Sequence, residues 1–501
     1  MGPAGKEGQL TMKKRLSLGI VLALAASLVL PGTALAQGGE LEAGLEAVKL
    51  ELDATWIIVA TVLVLFMQAG FLFLEIGFSR QKNVGAGVAK ILANLGIVTI
   101  AWWAVGYGIN GPGNKIFGTD GFFFHHGQEI AGAIVGGTDA ALMVFGMVFC
   151  AVSLAIVWGT TLERIKFGAY VVFAAIFGAI IYPLVAHSVW ADGLLSDIGG
   201  KAVLDFAGSS VVHLTGATAG LAALLLLGAR SGKYGSDGKP RAIPGHSMPL
   251  VGLGVMILWV GWYGFNAGST FATDDVLFAE VALNTQLAAS AGVIGALATV
   301  YLRTKALDVG MAGNGAIAGL VGITAPSGFV EFWAAPIIGF IAGVLVVFSV
   351  LAIEKYLDDP VGALSAHGMA GIWGTLAVGI FGSARLTEDS PGIWYAIFGD
   401  ASLGSTLGQL GVQAVGVAAT FAFVLVGSLV VFYAIKVTIG LRIPEEQELA
   451  GLDISTHGMY GYPEQFIPPE EYPTPPVEPH VAGTPVGAAP ATAPAQRPTS
   501  G

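Results

Sequence analysis

Of the 501 residues, 54% are hydrophobic and 11% charged, where soluble domains carry about 25% charged residues. With a mean hydropathy of +0.74, this excludes an ordinary soluble domain and indicates an all-α polytopic membrane protein. The net charge of −11 does not suggest nucleic-acid binding, and the single cysteine, Cys150, excludes an intrachain disulfide or a cysteine-based metal site.

Residues 12–37 read as a secretory signal peptide: Lys13, Lys14 and Arg15 precede an apolar core, and Ala34-Leu35-Ala36 fits a small-x-small cleavage site. Residues 1–36 are therefore assigned as signal peptide with an N-terminal extension, an uncleaved first helix being the alternative. Eleven hydrophobic spans follow, at 55–79, 84–109, 139–161, 165–188, 205–229, 247–269, 277–302, 310–325, 333–353, 362–384 and 409–437. They form a transmembrane domain over 37–439. A compact mixed segment at 440–462 follows, and then a Pro/Ala-rich tail over 463–501 with a disordered composition.

Charge orients the spans. With residue 40 outside, the inner loops hold Arg80, Lys82, Arg164, Lys166, Arg230, Lys233, Lys239, Arg241, Arg303, Lys305, Lys355 and Arg442. The outer loops keep only Lys115, Lys201 and Arg385. Positive residues favour the cytoplasmic side, so the expected C-terminus is cytoplasmic.

One skeleton occurs twice. Asp205, Gly208, His213, Gly220 and Gly228 have the spacing of Asp359, Gly362, His367, Gly374 and Gly382. The first copy lies in the fifth span and the second in the tenth, so they run antiparallel. That predicts a 5+5 inverted repeat with an eleventh helix added, a build that places sites near the midplane where the halves meet. Ionisable residues inside spans are functional candidates because burying their charge costs at least about 2.5–3.5 kcal/mol. Two adjacent imidazoles suit a small hydrogen-bonding solute and can pass a proton near neutral pH. Asp205 and Asp359 are read as helix N-caps, and Glu75 with Lys90 as a structural ion pair. Trp190, Phe145, Phe149, Trp262, Phe265 and Ser269 collect near the expected outer mouth, where aromatic faces attract a small cation.

These stretches resemble the ammonium transporter family (Amt/Mep/Rh), and its Amt branch in particular. The resemblance rests on DFAGSSVVHLTG at 205–216, GWYGFNAGS at 261–269, DDPVGALSAHGMAGIWGT at 358–375 and GLRIPEEQELAGLDISTHG at 440–458. It implies that His213 and His367 are twin pore histidines and that Phe149 and Phe265 gate the pore. Trp190, Phe149 and Ser269 would recruit ammonium, with Phe145 one turn from the gate, and Asp205 would be the structurally important aspartate. It further implies a homotrimer in the bacterial inner membrane, ammonium or ammonia as cargo with methylammonium a candidate second one, and a PII-type regulatory protein on the cytoplasmic face. Met459 stands where the tail motif carries an acid, and the 463–501 extension is outside the pattern.

The combined expectation is a transporter that deprotonates ammonium at the outer site, conducts ammonia past the histidines and reprotonates it inside. The competing expectations are an ammonium sensor with little flux, or a channel for another small neutral solute. No catalytic residues, metal site or cofactor are expected.

Overall fold

The computed structural model describes residues 34–130, 133–134, 136–274, 277–387 and 390–463. The charged start and apolar core of the expected signal peptide, and nearly all of the Pro/Ala-rich tail, lie outside those residues.

Apolar runs bounded by turn residues become helices. In chain order they are α1 (Ala34–Phe78, apolar over Gly44–Phe78), α2 (Gln81–Asn110), α3 (Gly137–Thr160), α4 (Phe167–Trp190) and α5 (Ser209–Leu227). The second set is α6 (Met248–Ala267), α7 (Leu277–Thr304), α8 (Val309–Thr324), α9 (Ala334–Ile353) and α10 (Leu364–Phe381), followed by α11 (Leu403–Thr438). Ten of these are long and apolar enough to cross a membrane, and α8, at 16 residues, is the shorter eleventh. Polar side chains set several starts: Ser247 Oγ accepts from Leu250 N, Asp308 Oδ1 from Met311 N, and Ser402 Oγ from Ser405 N. Between α2 and α3 a short antiparallel strand pair joins Glu129–Ile130 to Ala133–Ile134.

Helix packing relies on small residues. α7 packs on both α8 and α9. A Cβ on Gly343 of α9 would collide with the Gly292 carbonyl of α7, so these backbones touch directly. Large apolar side chains such as Met256, Ile294 and Val430 remain exposed on the flanks, as lipid-facing positions require.

The two repeat copies are antiparallel. Arg230, just past the end of α5, bonds Asp358, just before the start of α10. At the opposite end Phe206, just before α5, donates its backbone N–H to Ala325 past α8, and Ser383, past α10, donates to Phe329. The inverted arrangement expected from the spacing is therefore present.

Most of the basic loop residues gather at the end where α5 finishes and α10 begins. Glu163 accepts from Arg80 at 2.6 Å and Arg230 at 3.5 Å, while Asp358 takes Arg230 through both oxygens at 2.9 Å. Burial raises the Asp358 carboxyl, but the Arg230 hydrogen bonds and the charges of Arg164 and Arg230 outweigh it and hold it at about 2. Replacing Arg230 by Ala leaves two buried carboxylates short of a cation, an expected loss of about 3–5 kcal/mol. A lower melting temperature in detergent checks this. Because Asp358 titrates below its unfolded value of about 3.9, its contribution is complete above that pH. It disappears as pH falls through about 2.

The segment after α11 docks at this same end through α12 (Glu445–Ala450) and α13 (Leu452–His457). Arg442 Nη2 donates to Glu448 at 2.6 Å, and the other Glu448 oxygen accepts the Ser231 N–H at 2.6 Å. Asp453 accepts the Ala86 N–H at 2.8 Å, which satisfies a free donor in the first turns of α2.

Candidate functional site

The duplicated skeleton builds the same local device twice. Before α5, Asp205 Oδ1 accepts the N–H groups of Gly208 and Ser209, and Oδ2 those of Ser210 and Val211, all within 2.8–2.9 Å. One carboxylate thus satisfies the free donors of a buried helix start. Gly208 turns the chain at φ +115°, a left-handed conformation that L side chains resist. The first turn of α5, Ser209–Leu214, is π-helical and carries His213. In the second copy Asp359 Oδ2 accepts Leu364 N at 2.7 Å, Gly362 has φ +75°, and the π-helical turn Leu364–Met369 carries His367. The copies are not identical: Asp205 bonds N–H groups through both oxygens, whereas Asp359 Oδ1 has no hydrogen-bond partner.

The inversion brings the imidazoles together with Nδ1 to Nδ1 at 3.2 Å and ring centroids 5.3 Å apart. Only one proton fits between two facing ring nitrogens, so the neutral pair adopts opposite tautomers. One Nε2 then carries hydrogen and the other a lone pair, which offers a solute one donor and one acceptor. His213 Nε2 is buried without a partner. Trp262 stacks on His213 at 5.1 Å, and its indole N–H is fixed by Thr324 Oγ1 at 2.9 Å. Phe71 lies 6.2 Å from His367.

Towards the other end, Phe149 and Phe265 stack at 4.0 Å with 10° between their planes. Phe265 lies 5.4 Å from His213, so this closed pair sits directly above the histidines. Beyond it Phe145 approaches Phe149 at 4.4 Å, and Trp190 meets Phe149 edge-on at 6.2 Å. Trp190 is 40% exposed whereas Phe265 is fully buried, which marks where solvent ends. Its indole N–H is anchored on the Asp205 carbonyl at 2.7 Å. Ser269 Oγ donates to the Phe265 carbonyl at 2.8 Å, so its lone pairs remain to accept from an N–H donor such as ammonium.

Three features differ from the sequence reading. Trp262 stacks on a pore histidine rather than standing at the mouth, where Phe271 is found instead, 5.2 Å from Phe145. The π-helical turns and the place of Phe71 carried no signal that periodicity could detect. Among the described residues Glu75 and Lys90 form no ion pair. Lys90 Nζ sits 3.6 Å above the Trp158 ring and 3.4 Å from the Ile165 carbonyl, so an aromatic face and a backbone acceptor replace the carboxylate. Among the described residues no group of three or more metal-ligating side chains occurs.

The family model described as Ammonium Transporter Family matches residues 55–462. The chain is 41% identical to ammonium transporter Amt2 of Archaeoglobus fulgidus over 449 residues, covering 87% of this chain and 93% of that one. It is 34% identical to the ammonium transporter of Bacillus subtilis, over 82% of this chain and 98% of that one. Among solved structures, one titled Sensor Amt Protein superposes with a TM-score of 0.75 at 33% identity, covering 82% of this chain and 99% of that one. Candida albicans Mep2 superposes at 0.69 with 27% identity, over 79% and 87%.

Proposed function

The chain belongs to the ammonium transporter family, and from that premise we propose how it moves its cargo and where it sits. A multi-pass membrane protein of this family carries ammonium between two aqueous sides. The observation that carries the mechanism is the stacked Phe149–Phe265 pair lying directly on the His213–His367 pair inside buried helix starts.

Ammonium is drawn to the mouth by the faces of Trp190, Phe149 and Phe145, with Ser269 Oγ as acceptor. Passing the stacked rings strips the remaining water. A bare cation in an apolar channel costs several kcal/mol or more, whereas neutral ammonia keeps most of its stability there. The proton is therefore left near the gate, and ammonia crosses as a neutral molecule. At the histidines it donates to the bare Nε2 and accepts from the protonated one, then regains a proton inside. The same pair can carry the separated proton, which decides between an electrogenic transporter and an ammonia channel.

The gathering of Arg80, Arg164, Arg230 and Arg442 with the docked 440–461 segment supports a cytoplasmic inner end, hence an inner-membrane protein with its N-terminus outside. The exposed apolar flanks are consistent with a homotrimer in the bilayer. Glu448 ties the C-terminal segment to the start of the loop after α5, and Asp453 ties it to the first turns of α2, which suits a regulatory role and a PII-type partner on that face.

Growth of a host lacking its own ammonium transporters tests this reading. On scarce ammonium at acidic pH, where free ammonia is minimal, the chain should restore growth. Phe265→Ala, which opens the seal above His213, should reduce ammonium-specific uptake at least about tenfold and let competing cations in. Absent growth with the protein present in the membrane would defeat the transport reading and favour the sensor reading that the Sensor Amt likeness raises.

A further inference from the structure

Glu75 on α1 is an ionisable side chain that the transport reading leaves without a role. It is 1% exposed, and its Oε2 has no hydrogen-bond partner. Together with His367, Phe71 and Asn314 it lines a small cavity of about 20 Å³. By that measure a water molecule needs about 10–15 Å³, and ammonia is close to water in size, so the cavity takes one such molecule. α3 presents Gly159 to the carboxyl, where a Cβ would come within 3.1 Å of Oε1. Asn314 and Val361 line both this cavity and a wider one of about 410 Å³ at the inner end, whose wall includes Arg230, Lys233, Glu354 and Asp359. The sequence of chambers is thus histidine pair, single-molecule cavity with Glu75, charged vestibule.

The groups around Glu75 leave its Oε2 free. Lys90 of α2 is turned to the Trp158 ring and the Ile165 carbonyl, and Tyr170 of α4 donates to Asn94 at 3.0 Å. His367 of α10 holds His213 through Nδ1. A buried carboxyl oxygen with no partner is costly for a purely structural side chain. Its placement beside His367, in the cavity that shares Asn314 and Val361 with the vestibule, is where a proton donor is needed.

We propose that Glu75 is the group that returns the proton to ammonia at the inner end of the pore. In its acid form the Glu75 O–H bond breaks as an N–H bond forms on ammonia, leaving carboxylate and ammonium. Ammonium moves on to the vestibule, and the carboxylate regains its proton from hydronium of the inner aqueous side. This inference rests on the transport reading, and the test separates the two.

Transport is measured in proteoliposomes while internal pH is varied at fixed external pH. Glu75→Gln is expected to slow turnover at least about tenfold, to leave the half-saturating ammonium concentration unchanged and to abolish the dependence on internal pH. Glu75→Asp, which keeps the acid, is expected to recover both rate and pH dependence in large part. Glu75→Gln working at the unsubstituted rate with the same pH dependence would overturn the inference while leaving transport intact. So would equal slowing in both variants at unchanged melting temperature, since shape rather than proton exchange would then be responsible. Failure of the unsubstituted protein to transport ammonium at all would instead overturn the transport reading.

Discussion

Asp205→Ala is expected to cost at least about 3 kcal/mol and to leave little folded protein. The carboxylate accepts four backbone N–H groups at a buried helix start. An ordinary cap substitution costs about 0.5–2 kcal/mol, but each buried donor left without a partner adds about 1–3 kcal/mol. Asp205→Asn keeps one acceptor oxygen and turns an NH2 toward the other N–H pair, so it should fall between Ala and Asp. The equivalent change in the second copy, Asp359→Asn, should cost less than about 1 kcal/mol, because Asp359 Oδ1 makes no bond. Melting temperatures in detergent for the four proteins check this order. Equal losses at 205 and 359 would show that the carboxylates act by charge rather than through the bonds described.

His213→Ala is expected to lower the rate at saturating ammonium by about 100-fold. It removes the 3.2 Å partner of His367 and with it the alternating donor and acceptor that ammonia meets below the gate. Ser269→Ala acts elsewhere. It takes an acceptor from the mouth, and should raise the half-saturating concentration several-fold while leaving the saturated rate nearly unchanged. Rates across an ammonium series distinguish the two effects. A shift in half-saturation with His213→Ala and no change in the maximal rate would place that histidine in recruitment instead of passage.

The spans were legible because an apolar run of about 20 residues between charged loops has few other fates. Span ends shifted where caps intervene: α5 starts at Ser209, not at 205, because Asp205 to Gly208 form the turn that caps it. The spacing Asp-x2-Gly-x4-His is legible as a repeat, and its aspartates as helix caps, which the bonds of Asp205 and Asp359 match. The structure adds the rest: the glycine permits a positive φ, and the π-helical turn carries the histidine. A π-helical turn differs from an α-helical one by a single residue and leaves no hydrophobic period of its own. Side-chain choice between two partners was equally hidden. Lys90 had a carboxylate and an aromatic face within reach of its helix, and only the packing of α2 on α3 selects Trp158. Trp262 was misread for the same reason, since a tryptophan near a span end fits both an interfacial belt and a pore wall.

The most direct test of the account is the current and internal pH recorded together when ammonium is pulsed onto liposomes containing the protein. The account predicts a saturable response to ammonium that potassium does not evoke and that His213→Ala and Phe265→Ala both alter. A net positive inward current would mean that the separated proton crosses too, and a rise in internal pH without current would mean that ammonia crosses alone. Potassium passing as readily as ammonium, or ammonium binding with neither signal, would contradict the claim that the cation is stripped of its charge at Phe149 and Phe265 and passed on by the histidine pair.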